Sequence, residues 1–555
     1  MRQYLALLLA LCWSVPALSA DLGNARALVE QKRYNDAITE FNVLIEASPA
    51  NTDLLIEAAR VNAWADRHPQ SAALYRKVVE RAPLRRGDVI LPLAWQLAWD
   101  NRHEEAIPLF RETATLAGAQ QTEALHGLAE SLAATNQLPE ALGVYRQLST
   151  NTADLKASQG EARVLLWLDR HDEAAARYRD VLNTQPNDKE AQIGLARALN
   201  HSGRHLAAVS VYQTATRREP ALALNTRVER SLALRWAGLE DQALQTLGDA
   251  AGKDADTLRG KLKQETASHL RAEFESARDS DELDINALTL GWQQRFSEVN
   301  TLDVSARGAH IEQNNTLIQG RQLLARMGTR LGNTGQGLLW PALTLGIRDY
   351  DGWQTAAWKL QGKWIPADFW RVDVEAGNDV VETITALNNR ATLNFVAAST
   401  DWRFAPRWSA TLGGAVLRFD DDNQRTRLVG RIEHVLLRDQ PKLILGIEGM
   451  GFNDSDPTIA RGYYNPERYR ELKLFAQAEH ETAGWILGGR LALGRLWETP
   501  GSSSGLYAWE LSAARNLDPM LRLRLYAGGS DSSAFLRTGG GYTRNYLGAS
   551  LIWFF

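Results

Sequence analysis

The sequence is short of several things, and each shortage excludes a class of protein. Its 555 residues contain one cysteine, Cys12, so no intramolecular disulfide and no cysteine-based metal cluster can form. Beyond the N-terminus no apolar run reaches the roughly 18 residues that a membrane-spanning helix needs, and mean hydropathy is −0.32. That excludes a helical membrane protein. The net charge is only −4, which removes the electrostatic argument for a nucleic-acid partner. At 45% apolar, 8% aromatic and 23% charged residues, the composition is globular. Collagen-like, low-complexity and disordered readings are thereby excluded. Tryptophan, by contrast, is plentiful: 18 residues, twelve of them after position 265.

The first twenty residues, MRQYLALLLALCWSVPALSA, carry a basic Arg2, an apolar stretch to about Val15, and then Pro16 and small residues. This pattern predicts a secretory signal peptide over residues 1–20, cut after Ala20. Cys12 lies inside the apolar run after Leu11, which does not suit a lipoprotein cysteine. The mature chain would then have no cysteine, as suits a Gram-negative envelope protein better than a secreted disulfide scaffold.

Three parallel series then run through the N-terminal half. Small residues recur at Ala25, Ala59, Ala94, Ala129, Ala162, Ala196 and Ser231, in steps of 33 to 35. A bulky series follows sixteen residues later: Phe41, Tyr75, Phe110, Tyr145, Tyr178, Tyr212 and Leu247. Between them lie Ala37, Ser71, Ala106, Ala141, Ala174, Ala208 and Ala243, and Pro49, Pro83, Pro186 and Pro220 close four of the units. Paired small residues let two antiparallel helices approach, the aromatic fills the groove against the next unit, and proline stops the helix. The period and pattern resemble the tetratricopeptide repeat, with about seven repeats over residues 21–257.

A further series, Trp64, Trp99, Trp167 and Trp236, falls at one repeat position near the turn. Two readings stay open: packing between repeats, or a row of aromatic faces on which sugar rings or a partner stack. His68, His103, His171 and His205 also share a repeat position and read as part of the repeat, not as metal ligands.

From about residue 266 the period changes to two. Leu547, Ala549, Leu551, Trp553 and Phe555 alternate with Tyr546, Gly548 and Ser550, and Leu472, Leu474, Ala476 and Ala478 alternate with charged and polar neighbours. Such segments, about ten residues long with Trp and Tyr near their ends, predict a transmembrane β-barrel over 266–555. Sixteen segments can be drawn, starting at 269–279, 284–296 and 301–311 and ending at 504–515, 520–528 and 543–555. Every even-numbered segment is followed by a short link, and the longest links, 380–388, 454–468 and 529–542, follow odd-numbered ones. Bacterial barrels have short periplasmic turns and longer outer loops, so this parity predicts periplasmic repeats. The expected fold class is therefore a tetratricopeptide α-solenoid followed by a sixteen-stranded antiparallel transmembrane β-barrel.

Residues 266–555 contain 33 acidic and 31 basic residues, and only four of the latter are Lys. Alternation predicts a lumen lined by Glu273, Glu275, Asp373, Glu375, Glu433, Glu471 and Glu479 on the acidic side. Arg427, Arg431, Arg522, Arg524 and Arg544 are the basic counterparts. A barrel of this size encloses an aqueous path, and mixed charge with Tyr and Trp suits a hydrated polymer better than one simple ion. The segment from Arg461 to Tyr469 packs Tyr463, Tyr464 and Tyr469 with Asn465, Arg468 and a Pro turn. It reads either as a sugar-stacking loop or as a loop anchoring itself on the barrel wall. Phe555, terminal on an alternating strand, reads as an assembly signal.

Signatures of catalysis are weak. Gly501–Gly505 matches G-x-S-x-G but lies between β segments with no following helix, which does not suit a nucleophile elbow. H-E-x-x-H, Walker A and C-x-x-C patterns are missing from the sequence. A non-enzymatic protein without a cofactor or metal is expected.

Signal peptide, repeat array and sixteen-stranded barrel together resemble the outer-membrane exopolysaccharide export porins of synthase-dependent systems. Poly-β-1,6-N-acetylglucosamine exporters (the PgaA/HmsH type) are nearest in barrel size. Cellulose exporters (BcsC), Pel exporters and YaiO-like barrels have a related layout. The Tyr463–Tyr469 run looks like an aromatic–Asn/Ser–Pro–x–Arg motif of such barrels, and the turns Trp64–Arg67, Trp99–Arg102 and Trp167–Arg170 are similar to their repeats. The resemblance implies export of poly-N-acetylglucosamine or a similar biofilm polymer. Implied partners are a periplasmic deacetylase-like enzyme, an inner-membrane synthase complex, the barrel-assembly machinery and outer-membrane lipid. A barrel-anchored receptor or adhesin, and an envelope scaffold without transport, remain the alternatives.

Overall fold

The computed structural model describes residues 21–115, 119–152, 154–333, 337–458, 461–499, 501, 503–531 and 543–555. The expected signal peptide with Cys12, Ser502 of the G-x-S-x-G match, and most of the 529–542 link lie outside the described residues. The fold is a tetratricopeptide-like helical region followed by a closed sixteen-strand antiparallel barrel. The chain packs as two compact units, Met1–Ala198 and Leu199–Phe555.

In the first unit, helices pair in the order expected from the three series: Leu22–Glu30 with Tyr34–Ala47, Thr52–Trp64 with His68–Arg81, and so on to Leu155–Trp167 with His171–Thr184. The small positions are fully buried, Ala25, Ala37, Ala59, Ala94 and Ala162 among them, and so are the rings of Phe41, Phe110 and Tyr178. Each bulky ring lies against the next repeat. A Cβ at Gly127, Gly160 or Gly194 would fall inside the ring of Phe110, Tyr145 or Tyr178 respectively. The turn inside each repeat has its own device, a residue with positive φ: Lys32, Asp66, Asn101, Asn136 and Asp169 at 56° to 60°. Asp and Asn tolerate this left-handed conformation better than other non-glycine residues.

In the second unit, Gly203 and Gly238 take the same turn position, both with φ of 76°. Helices His205–Arg218, Ala221–Asn225, Arg227–Trp236, Glu240–Leu247 and Lys253–Thr266 lead into the sheet. The strand segments are β1 (His269–Asp279), β2 (Asp284–Arg295), β3 (Asn300–Gln313), β4 (Thr316–Thr329), β5 (Leu331–Asn333), β6 (Gly337–Tyr350), β7 (Trp353–Ala367), β8 (Trp370–Val380), β9 (Thr392–Ala405), β10 (Trp408–Phe419), β11 (Gln424–Leu437), β12 (Lys442–Asp454), β13 (Arg468–Thr482), β14 (Trp485–Thr499), β15 (Ser503–Asp518), β16 (Leu521–Ser530) and β17 (Arg544–Phe554). Of these, β5 is a three-residue ribbon paired with the start of β6, and the other sixteen close into a barrel through β1–β17. The sixteen segments drawn from the sequence match these strands to within about three residues. Three-residue differences fall at the ends of β7 and β15 and at the start of β9, where a short helix, Ile384–Asn388, occupies part of the preceding connection.

Period-two burial separates two surfaces. Leu288, Leu290, Leu323, Leu345, Val396, Leu412, Leu428, Leu474 and Leu493 stand exposed around the outside. A continuous apolar belt of this kind fits lipid and is unlike the surface of a water-soluble monomer. At the rim with the short turns, aromatics gather: Trp292, Phe296, Trp364, Phe369, Trp370, Trp402, Phe404, Trp408, Trp553 and Phe555 are all exposed there. Amphipathic rings prefer the membrane–water interface, so this rim marks one. Among the described residues no helix is long and apolar enough to cross a membrane.

Candidate functional site: the barrel lumen and its two rims

The inner wall is charged and largely self-paired. Tyr526 Oη reaches Glu273 at 3.1 Å and Glu275 at 3.2 Å, and Arg544 stands 3.9 Å from Glu275. Asp373 is held by Arg371 at 2.6 Å, and Glu375 faces Lys359 at 3.9 Å. Glu433 accepts from Ser409 at 3.0 Å. Arg522 donates to Asn516 at 2.9 Å, and the Arg524 guanidinium lies over the Tyr526 ring. Glu471 accepts from Tyr469 Oη and Lys473, both at 2.7 Å, while Glu479 is exposed. The centre of one cluster is Glu448, which the sequence reading did not single out: Arg490, Lys473 and Arg431 approach it at 2.5, 3.4 and 3.5 Å. Its signal was available, since Glu448 alternates with the outward Leu445 and Ile447. Arg427, also expected in the lumen, makes no ion pair among the described residues.

At the long-loop rim the connection after β8 turns into the barrel. Ile384 and Leu387 of its short helix bury against Ile285, Ala287, Ala309, Ile311, Ile318 and Tyr350 on the inner faces of β2, β3, β4 and β6. Glu382 anchors this segment. Its carboxylate accepts from Arg307 Nη1 at 2.6 Å and Nη2 at 3.0 Å, from Gln322 at 3.0 Å and from Tyr350 Oη at 2.9 Å. Thr383 caps the helix by accepting from Ala386 N–H, and its hydroxyl donates to Gly462 O at 2.6 Å. The second long connection, after β12, is thereby tied to the first. Gly462 sits at φ 91°, and a Cβ there would run into the Ala386 backbone.

Of the tyrosines offered as sugar-stacking faces, Tyr463 and Tyr464 belong to this second connection, whereas Tyr469, with Arg468, begins strand β13; protein covers all three tyrosines. Tyr463 stacks on Phe419 with ring centroids 4.0 Å apart, and its hydroxyl donates to Asp421 at 2.8 Å. Tyr469 stacks on Phe452 at 4.9 Å and is fully buried. Tyr464 packs edge-on to Phe452 and bonds Glu498. Asn465 donates to Asp456 O at 3.2 Å, while Arg468 is exposed.

At the short-turn rim, residues 199–266 are bound to the barrel's own turns. Asp368, between β7 and β8, accepts from the N–H groups of Leu206 and Ala207 at 2.7 and 3.0 Å. It thus caps a helix more than 160 residues away in sequence. Arg403 donates to Gly203 O at 2.6 Å and to Asp368 O at 3.0 Å. Arg295 pairs with Asp241 at 3.3 Å, Gln245 bonds Glu298, and Arg522 and Asn516 reach Gln264. Burial pushes Asp368 up from the ordinary carboxylate range despite its two N–H donors. Burial, helped by Arg403, also pulls His205 down to about 4.

The repeat tryptophans keep exposed faces: Trp64, Trp99, Trp167 and Trp236 are each about half exposed. Their other sides pack locally, Trp64 near Tyr34, Trp99 on Trp95 and His68, and Trp236 on His205. His68, His103 and His205 spend a ring nitrogen on Gln96, Ser131 and Asn200. Phe555 is half exposed on the outer side of the rim, and its N–H donates to Ser268 O at 2.9 Å.

The tetratricopeptide repeat family pattern matches residues 22–85 and 160–223. Among solved structures, a bacterial polysaccharide outer membrane secretin is 14% identical, with a TM-score of 0.45, covering 52% of this chain and 99% of that one. A tetratricopeptide repeat protein from Parabacteroides merdae is 15% identical with a TM-score of 0.36, covering 43% and 96% of the two chains. The C-terminal part of a repeat protein from Cytophaga hutchinsonii is 13% identical with a TM-score of 0.37, covering 43% and 99%. No curated protein matches the chain.

Proposed function

We propose that the protein is an exopolysaccharide export porin of the Gram-negative outer membrane, in which the barrel conducts the polymer and the helical repeats stand in the periplasm. The observation that carries this reading is a closed sixteen-strand barrel with an apolar outer belt and a continuous inner wall of charged and aromatic side chains. Paired charges keep such a wall wet without binding one ion tightly, which suits a chain of hydroxyl-rich sugars that must enter and leave. No covalent step is required of the protein, and we assign it none. The repeats, with their half-exposed tryptophans, recruit the polymer or enzymes that modify it, and the polymer is poly-N-acetylglucosamine or a similar biofilm glycan. A receptor or adhesin needs the barrel only as an anchor and has no use for a charged inner wall.

Reconstitution in planar bilayers tests this. The protein should form channels whose current soluble oligosaccharides interrupt when added at the short-turn side. Insertion without conductance, together with indifference to every oligosaccharide, would remove the export reading and favour the anchored receptor.

A further inference from the structure

One stretch of the inner wall is neither filled nor charge-balanced. Between β4 and β11 a cavity of about 630 Å³ opens on the lumen. It runs into a second of about 290 Å³ that reaches up to Phe419, Phe452 and the inward tyrosines. The two share Glu375, Ala397, Ala415 and Arg427 in their lining, so they form one groove. The space exists because strand register places small side chains side by side there. Ala397 and Ala415 lie between Glu375 and Arg427 on one rung, and Ser399 and Gly413 lie between Asp373 and Val429 on the next. Longer side chains flank a floor that no described residue fills.

The charges of the groove do not cancel. Its carboxylates are mostly committed: Asp373 to Arg371, Glu375 to Lys359 and Asp379 to Arg348 at 3.4 Å. Asp401 accepts from the neutral Thr411 at 2.5 Å and, without an ion pair among the described residues, offsets one cation. Three cations make no ion pair among the described residues, though Asp373 is the cross-strand neighbour of Lys363 and Glu375 attracts Arg427 from the same rung. Arg326 reaches only the neutral Gln361, at 3.3 Å. Lys363 lies over the Trp340 ring, 4.2 Å from its centroid. Arg427 makes no hydrogen bond or ion pair among the described residues and stands where the two cavities join. Guanidinium and ammonium groups held at a partly desolvated wall favour a bound anion, and the Arg fork matches a carboxylate.

We infer that this groove is a binding track for a glycan segment that carries carboxylates, such as a chain of uronic acid residues, with Arg427 as its central contact and Arg326 and Lys363 on the short-turn side. This rests on the export reading but replaces its glucosamine polymer: the polymer is acidic rather than neutral or amine-bearing. Phe395, Phe419 and Phe452 at the upper end supply apolar surface for the ring faces of the same chain.

The test is calorimetric titration of the full-length protein in detergent with three probes of equal length: tetragalacturonate, tetra-N-acetylchitotetraose and fully deacetylated chitotetraose. The acid should bind at least about tenfold more tightly than the neutral probe and lose that advantage as salt screens the charges. Arg427→Gln and Lys363→Gln should each weaken the acid about tenfold and leave the neutral probe unchanged. The folded state of each variant is verified by its heat-dependent gel mobility. Equal binding of all three probes, a preference for the amine, or an Arg427→Gln variant that still binds the acid fully would overturn the proposal. Those results together with channels that conduct would leave export standing and the acidic assignment wrong. Silence from all three probes in a barrel that does not conduct would remove both.

Discussion

Single positions decide whether the repeats close. The αL residues Lys32, Asp66, Asn101, Asn136, Asp169, Gly203 and Gly238 follow the same steps as the buried alanines, so one turn is built seven times. The sequence showed this only obliquely, as Trp-x-x-Arg runs, because the residue that carries the strain is the unremarkable one before the arginine. The contacts under the aromatic rings are tighter still. Gly160 leaves its Cβ space to the ring of Tyr145, and nothing nearby can yield without moving a neighbouring helix. Gly160→Leu should therefore destabilise the helical region by about 1–3 kcal/mol, as overpacking does in well-filled interiors. Thermal unfolding followed at a helical circular-dichroism band would show a lowered first transition. An unshifted transition would mean that the repeats separate there at little cost.

Elements show where sequence reading stops. Alternation marks strands well, since a strand with lipid on one side and water on the other must alternate, and the sixteen segments could be drawn without a structure. The inward connection after β8 gave no such signal. Its helix, Ile384–Asn388, is five residues long, and its apolar residues meet the inside of a wall rather than a regular face. The tyrosines from 463 to 469 admitted two readings because an aromatic loop in a sequence carries no mark of what covers it. Asp368 carries no local mark of its capping role because its partners lie in a helix far away in the chain. The inward connection also carries the sharpest test of gating. Four donor contacts hold Glu382, and the Arg307–Glu382 pair is partly buried. Glu382→Gln removes the charge from this set, and hydrogen bonds to charged groups are worth roughly 1.5–3 kcal/mol. Because about 1.4 kcal/mol changes a two-state population tenfold, the variant should raise the time spent in a high-conductance state by about tenfold or more. Single-channel recordings that match the parent protein would show that the connection is a fixed wall.

For the whole molecule, the position of the boundary decides what a truncation can reveal. Periodicity counts seven repeats and assigns everything before residue 257 to one array, yet the compact units meet at Ala198 and Leu199. The reason is chemical. Asp368, Arg295 and Arg403 at the short-turn rim take their partners from Leu206, Ala207, Asp241 and Gly203. Removing residues 21–255 strips those partners away, leaving Arg403 with Asp368 O and Arg295 with Glu265 O, and each lost hydrogen bond or ion pair costs about 0.5–1.5 kcal/mol. Removing residues 21–198 leaves every one of these bonds intact. The shorter deletion, exported with the native residues 1–20, should give a barrel whose heat-dependent gel mobility and conductance match the parent protein. The longer deletion should melt at lower temperature. If the repeats recruit polymer or its modifying enzymes, the shorter deletion should also cut secreted polymer several-fold while conductance stays unchanged. Normal secretion from that variant would confine the transport function to Leu199–Phe555 and deny the first unit a part in it.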